Sequence, residues 1–409
     1  MTSPSDTSNT TGTSDTTGTS ASTGTSASTG TTGSSGKPLI MLLGMGDLSA
    51  KVLTMLLGDP ATNRVVLAGR DAEAVRRRGN LALFTATNLG LHGTVDSVHV
   101  DLRDVDATAD TLARVRPDII FMGGSLQSWR VITALPKEVF EELDEAQFGP
   151  WLPMHLTLNH LLMQAVRGSG IDAKVVNAAF PDAVGPVLDK VGLAPTIGVG
   201  NVANIVPALT LGAAHLLDAH PSQVELRLTA QHYFSHYVPR FGDAGKGAYH
   251  LAASVRGRPG TAELDHGALF AQLDNRLKRI GGIDGQLLTA SSAVRVLKGM
   301  AADSGVLAHA PAPGGLPGGY PVRVHRAGGT LDLPAGLDRD EAVRINEECQ
   351  RADGIDRIDD DGTVHFTAPE MAVMKRLLGY ECQSMKLGDA SEWANELTLK
   401  YAAFAAKFR

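Results

Sequence analysis

Six short runs, at residues 38–43, 65–68, 97–101, 118–122, 173–177 and 196–199, constrain this chain more than any other feature. All are too short for helices, and most read Val/Ile/Leu-rich without polar interruption, as strands buried on both faces do. The stretches between them have helical spacing. Leu48, Val52, Leu53, Leu56 and Leu57 fall on one helix face, and further helices are expected at about 107–115 and 156–166. Strands alternating with helices pair in parallel through right-handed crossovers. The expected fold class is therefore α/β, a Rossmann-type doubly wound sheet. Beyond Asn201 the pattern changes to a helix at 206–217 and an alternating, half-buried strand at 224–229. A helix at 291–302, a Gly/Pro-rich loop at 311–319, a strand at 320–325 and helices at 339–351 and 368–378 follow. This second part reads as an α+β domain, and the boundary is placed near Gly200, giving domains 37–200 and 201–409. The Gly/Pro-rich loop either closes over a ligand or makes a surface connection.

Residues 1–36 stand apart, with 29 Ser, Thr or Gly residues and no Lys or Arg. So little apolar surface cannot offset the entropy of ordering, so the segment reads as a disordered tail. It has neither the basic start nor the apolar stretch of a signal peptide. The net charge of -7 argues against nucleic acid as a partner, and no apolar run is long enough to span a bilayer. Cys349 and Cys382 are too few for a disulfide framework or a thiolate metal site, and a cytoplasmic location is the default.

Gly44-Met45-Gly46-Asp47-Leu48-Ser49 occupies the first strand-to-helix turn. In that context a G-x-G-x-x-G/A sequence holds a pyrophosphate: Gly44 makes the tight turn, Gly46 lets the phosphates reach the backbone, and the helix N-terminus supplies partial positive charge. Ser49 replaces the third glycine. Asp47 and Leu48 complete the candidate contact segment. The second strand ends in Ala68-Gly69-Arg70, where an NAD protein usually carries an acid for the ribose. Arg70 suits a 2′-phosphate, so NADP is the expected cofactor; if Arg70 is merely solvated and Asp71 serves the ribose, the cofactor is NAD. Asp101, ending the third strand, is placed either to contact adenine or to cap a helix, and Gly123-Gly124 would pass beneath the cofactor.

The succession Ile119-Ile120-Phe121-Met122-Gly123-Gly124, Val175-Val176-Asn177, Asp189-Lys190-Val191-Gly192-Leu193 and Ile197-Gly198-Val199-Gly200-Asn201-Val202 resembles the lactate/malate dehydrogenase superfamily in order and spacing, over about residues 38–240. The resemblance implies a Rossmann domain followed by a domain that supplies the catalytic residues: a histidine to exchange the carbonyl proton, a carboxylate to orient it and an arginine to clamp the substrate. His232, after the strand at 224–229, falls where the proton carrier is expected. Asn204 and Pro207 stand where the family has an Asp and an Arg, so Asn204 becomes the candidate orienter of His232. Arg130, in the loop after Gly123-Gly124, becomes the candidate anion clamp, with Asn177 and His236 as further substrate contacts. His232 and His236 stand four apart, but no third ligand is in register, and no metal is expected. His155 and His160 read as ordinary helix residues.

These residues suggest an NAD(P)-dependent oxidoreductase that passes hydride between the nicotinamide and a carbonyl or imine carbon of a small molecule, working as a homo-oligomer, dimer or tetramer. A saccharopine- or opine-type amino-acid dehydrogenase, which reduces C=N, is the second enzyme reading. A non-catalytic dinucleotide-binding regulatory protein is the third. A short-chain dehydrogenase is disfavoured because none of the six Tyr has a Lys four residues later. Removal of residues 1–36 is expected to leave folding unchanged, and a melting temperature equal to that of the full chain checks this.

Overall fold

Each inner strand of the parallel sheet is an uninterrupted apolar run because helices cover both of its faces. In a computed structural model that describes residues 36–408, β1 (Ile40–Leu43) and β4 (Ile119–Met122) are wholly buried, flanked by β2 (Arg64–Gly69), β3 (Thr94–His99), β5 (Lys174–Asn177) and β6 (Ile197–Gly198). The expected tail, Gly36 excepted, lies outside the described residues. The sheet order is β3-β2-β1-β4-β5-β6, all parallel. Helices α1 (Asp47–Leu57), α2 (Ala72–Asn88), α3 (Val105–Val115), α4 (Lys137–Asp144), α5 (Leu152–Ser169) and α6 (Pro181–Asp189) connect or cover these strands. The Rossmann-type α/β fold expected from the sequence is present. Chain order reverses between β1 and β4, and a crevice opens there at the carboxyl ends of the strands.

The third strand differs from expectation. It spans Thr94–His99, and this edge strand contains no buried residue, so its alternation carried little register information. Asp101 therefore lies beyond the strand, in a turn, where its side chain accepts a hydrogen bond from the Arg103 amide at 3.1 Å.

After β6 the chain forms α7 (Val202–Leu216), β7 (Val224–Ala230), α8 (His232–Phe241), β8 (Tyr249–Val255), α9 (His266–Asp274), α10 (Gln286–Ala302), β9 (Val306–Pro311), β10 (Gly319–His325), β11 (Gly328–Leu331) and α11 (Arg339–Ala352). The five strands make an antiparallel sheet in the order β11-β10-β7-β8, with β9 also on β10. The Gly/Pro-rich loop is neither lid nor surface connection. Pro311, Ala312, Pro313 and Gly315 are buried, and Ala312 packs against Gly185 of α6 so closely that a Cβ on that glycine would stand 2.5 Å from the alanine methyl.

The last part of the chain, β12 (Ile355–Ile358), β13 (Val364–Phe366), α12 (Ala368–Leu378), β14 (Ser384–Met385) and α13 (Ala390–Ala405), packs back onto the parallel-sheet half. Leu397, Tyr401 and Phe404 of α13 share one apolar cluster with Trp151, Leu152 and Leu156 at the start of α5. The Trp151 and Tyr401 rings meet edge to face at 5.7 Å. Residues 37–409 thus form one compact unit. No described helix is long and apolar enough to cross a membrane.

Gly44 has φ +82°, and a Cβ there would lie 2.7 Å from the Cα of Gly124. Gly44→Ala is expected to cost about 1–3 kcal/mol, from the left-handed backbone and the forced separation of the two turns. Urea denaturation of the two proteins measures it.

Candidate active site

The crevice above β1 and β4 is a cleft of about 550 Å³ lined by Gly44, Met45, Gly69, Arg70, Asp71, Arg78, Asp101, Arg103, Gly124 and Ser125, among others. Several of the glycine-rich residues expected at a cofactor meet here. The Ser49 hydroxyl donates to the Gly44 carbonyl at 2.5 Å and faces Gly123, so this serine locks the turn rather than merely filling the third glycine position. Gly46 caps α1 with no side-chain acceptor, and a Cβ on it would meet nothing within 4 Å. An uncapped helix start opening on free space is the cradle a pyrophosphate needs, and the residues present fit a dinucleotide. Asp47 and Leu48 open the helix. Arg70 and Asp101 lie at the far end of the cleft.

At its other end the cleft includes Leu126 and Leu158. The Leu126 amide donates to the Met154 carbonyl at 2.9 Å, which places the next residue, His155, at the mouth of a second group of side chains. Its ring lies 5.0 Å from that of Phe148 and 6.2 Å from that of Phe180, and both phenylalanines touch the His232 ring, at 4.5 Å and 5.8 Å. Phe180 is held at φ +45°, a left-handed conformation that a bulky residue adopts only where its surroundings impose it.

His232 is the first residue of α8. Its Nδ1 lies 3.1 Å from both carboxylate oxygens of Asp353, the residue that ends α11. The cap of α8, Gln231, secures the same carboxylate: its carbonyl oxygen accepts from the Tyr233 amide at 2.8 Å while its Nε2 donates to Asp353 at 3.1 Å. The Asp353 side chain is 2% exposed and that of His232 17%. With Nδ1 on the carboxylate, Nε2 is the ring atom left for a substrate. Burial alone would push the imidazolium below its usual range, but the negative charge and hydrogen bond of Asp353, with Asp182 and Asp144 behind it, carry it above.

His236 stacks on His232, centroids 5.7 Å apart and planes 14° from parallel. Arg240 donates to His236 Nε2 at 2.8 Å and also to Asp144, whose other oxygen lies 3.5 Å from the same ring nitrogen. Burial lowers its pKa despite the attraction of Asp144. The Trp129 ring closes this side, edge-on to His236 at 5.5 Å. Asp182, on α6, is wholly buried, and burial raises its pKa to about 6; Asn201, itself at φ +49°, donates to one of its oxygens. The other oxygen has no protein partner, nor do both ring nitrogens of His155, Gln127 Nε2 and Trp129 Nε1. A buried polar atom without a protein partner is costly, and the free oxygen of Asp182 lies close enough to His232 to raise its pKa. Burial, then the charge of His232, pushes the pKa of His155 down to about 3, so that ring is neutral.

The other expected residues fall as follows. Asn177 ends β5 and closes its own turn, exchanging hydrogen bonds with Ala179 at 3.1 and 2.8 Å. Arg130 lies in a short helical turn beside Trp129 and donates to the Gly282 carbonyl. Asn204 does not hold His232. Its amide donates to Thr289 at 3.0 Å, tying α7 to α10, and the orienting carboxylate comes instead from Asp353, 121 residues after the histidine. Asp353, Asp182, Asp144 and Phe148 were not singled out in the sequence, and His155 was read as an ordinary helix residue. Only the Asp353-Gly354 pair at a helix end hinted at anything, and it reads as an ordinary helix stop.

No family model matches this chain, and no curated protein matches it in sequence. Solved structures do match. The lactate dehydrogenase of Eimeria maxima, crystallised with NADH and oxamate, is similar at a TM-score of 0.52 and 12% identity, over 78% of this chain and 93% of its own. The malate dehydrogenase of Aeropyrum pernix gives 0.50 and 14%, over 76% and 96%. A lactate dehydrogenase from a Medee basin deep-sea metagenome library gives 0.50 and 10%, over 77% and 96%. The fold is that of the lactate and malate dehydrogenases. At these identities the likeness concerns the fold alone.

Asp353→Asn is expected to lower the His232 pKa, because the charge that raises it is gone. The folded pKa of His232 lies above the ordinary value, so the ion pair stabilises the protein on the acid side and is lost as pH rises through that folded pKa. The stability gap between wild type and Asp353→Asn should therefore narrow toward alkaline pH. Histidine NMR titration and denaturation at several pH values read the two effects.

Proposed function

We propose that this chain is an oxidoreductase dependent on a nicotinamide dinucleotide, with His232 as its acid/base group. The single observation that carries the reading is the His232–Asp353 pair, buried among the Phe148 and Phe180 rings and near the carboxylate of Asp182, on the same fold as the dinucleotide-type cleft. The bound cofactor would supply or accept the hydride at the substrate carbon. Gly44, Gly46 and the start of α1 would hold its pyrophosphate, with Gly123-Gly124 beside them. NADP(H) is the preferred form, because Gly69 and Arg70 stand where an acid would hold a free ribose diol.

His232 gives the proton from Nε2 to the substrate heteroatom during reduction and takes it back during oxidation. Asp353 fixes the ring orientation through Nδ1 and stabilises its charged form. Phe148 and Phe180 keep water from the faces of the ring. Arg130 borders the same pocket through Trp129 and is the candidate for an anionic substrate group, with Asn177 at the end of β5 as a further contact.

One observation supports an imine substrate beside the carbonyl reading. Asp182 brings to the pocket a buried carboxylate oxygen with no protein partner, and an ammonium or iminium would satisfy it. An opine- or saccharopine-type substrate is therefore the second reading.

Incubation with NADPH and a panel of oxo acids and aldehydes, each with and without amines, separates the two. His232→Ala is expected to lower turnover by roughly 100-fold or more while leaving nucleotide affinity intact. Full turnover in that variant would remove His232 from the mechanism. Nucleotide binding without turnover of any substrate would favour a regulatory role.

A further inference from the structure

Three arginines line the cleft: Arg70, just past β2; Arg78, two turns into α2 on the face that also carries Asp71, Ala74 and Val75; and Arg103, in the turn after β3. None of the three guanidinium groups makes an ion pair or hydrogen bond with another described residue. Their neighbours behave differently. On the outward face of the same helix, Arg76 and Arg77 both pair with Glu73, at 2.8 and 2.7 Å.

The two acids in this wall each hold one backbone amide and leave the three guanidinium charges in excess. Asp71 accepts from the Ala74 amide at 2.9 Å as the cap of α2, and Asp101 accepts from the Arg103 amide at 3.1 Å. At the strand tip itself stands Gly69, which has nothing to offer a ribose hydroxyl. Three unpaired guanidinium groups around one opening repel one another unless an anion lies between them. A phosphate monoester carries close to two negative charges at neutral pH and three acceptor oxygens, and guanidinium groups match it in pairs of parallel hydrogen bonds.

Resting on the reading of the cleft as a dinucleotide site, we propose that Arg78 and Arg103 join Arg70 in a three-guanidinium cradle for the 2′-phosphate of NADP(H), and that all three set the preference over NAD(H). A free 2′-hydroxyl would leave the cradle unfilled.

The fragments 2′,5′-ADP and 5′-ADP test this without a substrate, because they differ only in the group in question. Calorimetric titration of the full chain is expected to show 2′,5′-ADP binding on the order of 100-fold tighter. Arg78→Gln and Arg103→Gln should each weaken 2′,5′-ADP by about 10-fold, leave 5′-ADP within about 2-fold, and leave the melting temperature unchanged, since both side chains are exposed and unpaired. Equal affinities in the wild type would overturn the cradle and leave the nucleotide site standing. Tight 2′,5′-ADP binding undiminished in both variants would assign the selectivity to Arg70 alone and overturn the proposal. Failure of both fragments to bind would overturn the cradle and the nucleotide reading together.

Discussion

The carboxylate of Asp353 lies almost entirely out of water, and a buried charge is tolerated only when paired and hydrogen-bonded on most sides. Here the partners come from one short stretch, the start of α8, where Gln231 and His232 both reach it. The backbone of the same residue is engaged as well, since the Gly149 amide donates to its carbonyl at 2.6 Å. A Cβ on Gly149 would stand 2.6 Å from that oxygen, so the approach exists only because the residue is glycine. Through one aspartate, the ends of α8 and α11 and the entrance to α5 are fixed to one another. Removing the acid would strand the imidazole, and removing the imidazole would leave a charge that several kcal/mol of desolvation penalises.

The parallel half was legible because its inner strands are buried on both sides, leaving an apolar run with no alternative reading. The Gly44 turn was legible because strand, turn and helix signals agree there. At the exposed edge the signal failed: β3 has no buried residue, so its limits slid toward Asp101. The last three strands, β12 to β14, are two to four residues long, too short for any periodicity to establish itself. Half of the His232–Asp353 pair could be read, because His232 follows a clear strand. Its partner could not, because a carboxylate at a helix end is a common capping choice and carries no trace of a contact with a residue far away in sequence.

The departure at Asn204 follows the same logic. By resemblance, α7 was the expected source of the orienting group, yet its amide serves Thr289 and so anchors α10 beside the pocket. The carboxylate that meets His232 comes from the end of α11 instead. Strain is concentrated here too, with Phe180 and Asn201, both non-glycine residues at positive φ, on either side of Asp182.

The packing of α13 against the start of α5 has a consequence for how the molecule comes into being. The six parallel strands are complete by Gly198, and the cleft above them can take shape early in synthesis. The histidine follows soon after, but its carboxylate is placed by a helix end whose surroundings include Trp151 and the C-terminal cluster of Leu397, Tyr401 and Phe404. A nascent chain would therefore hold the cleft above β1 and β4 before the His232–Asp353 contact can close, because that contact waits for α11.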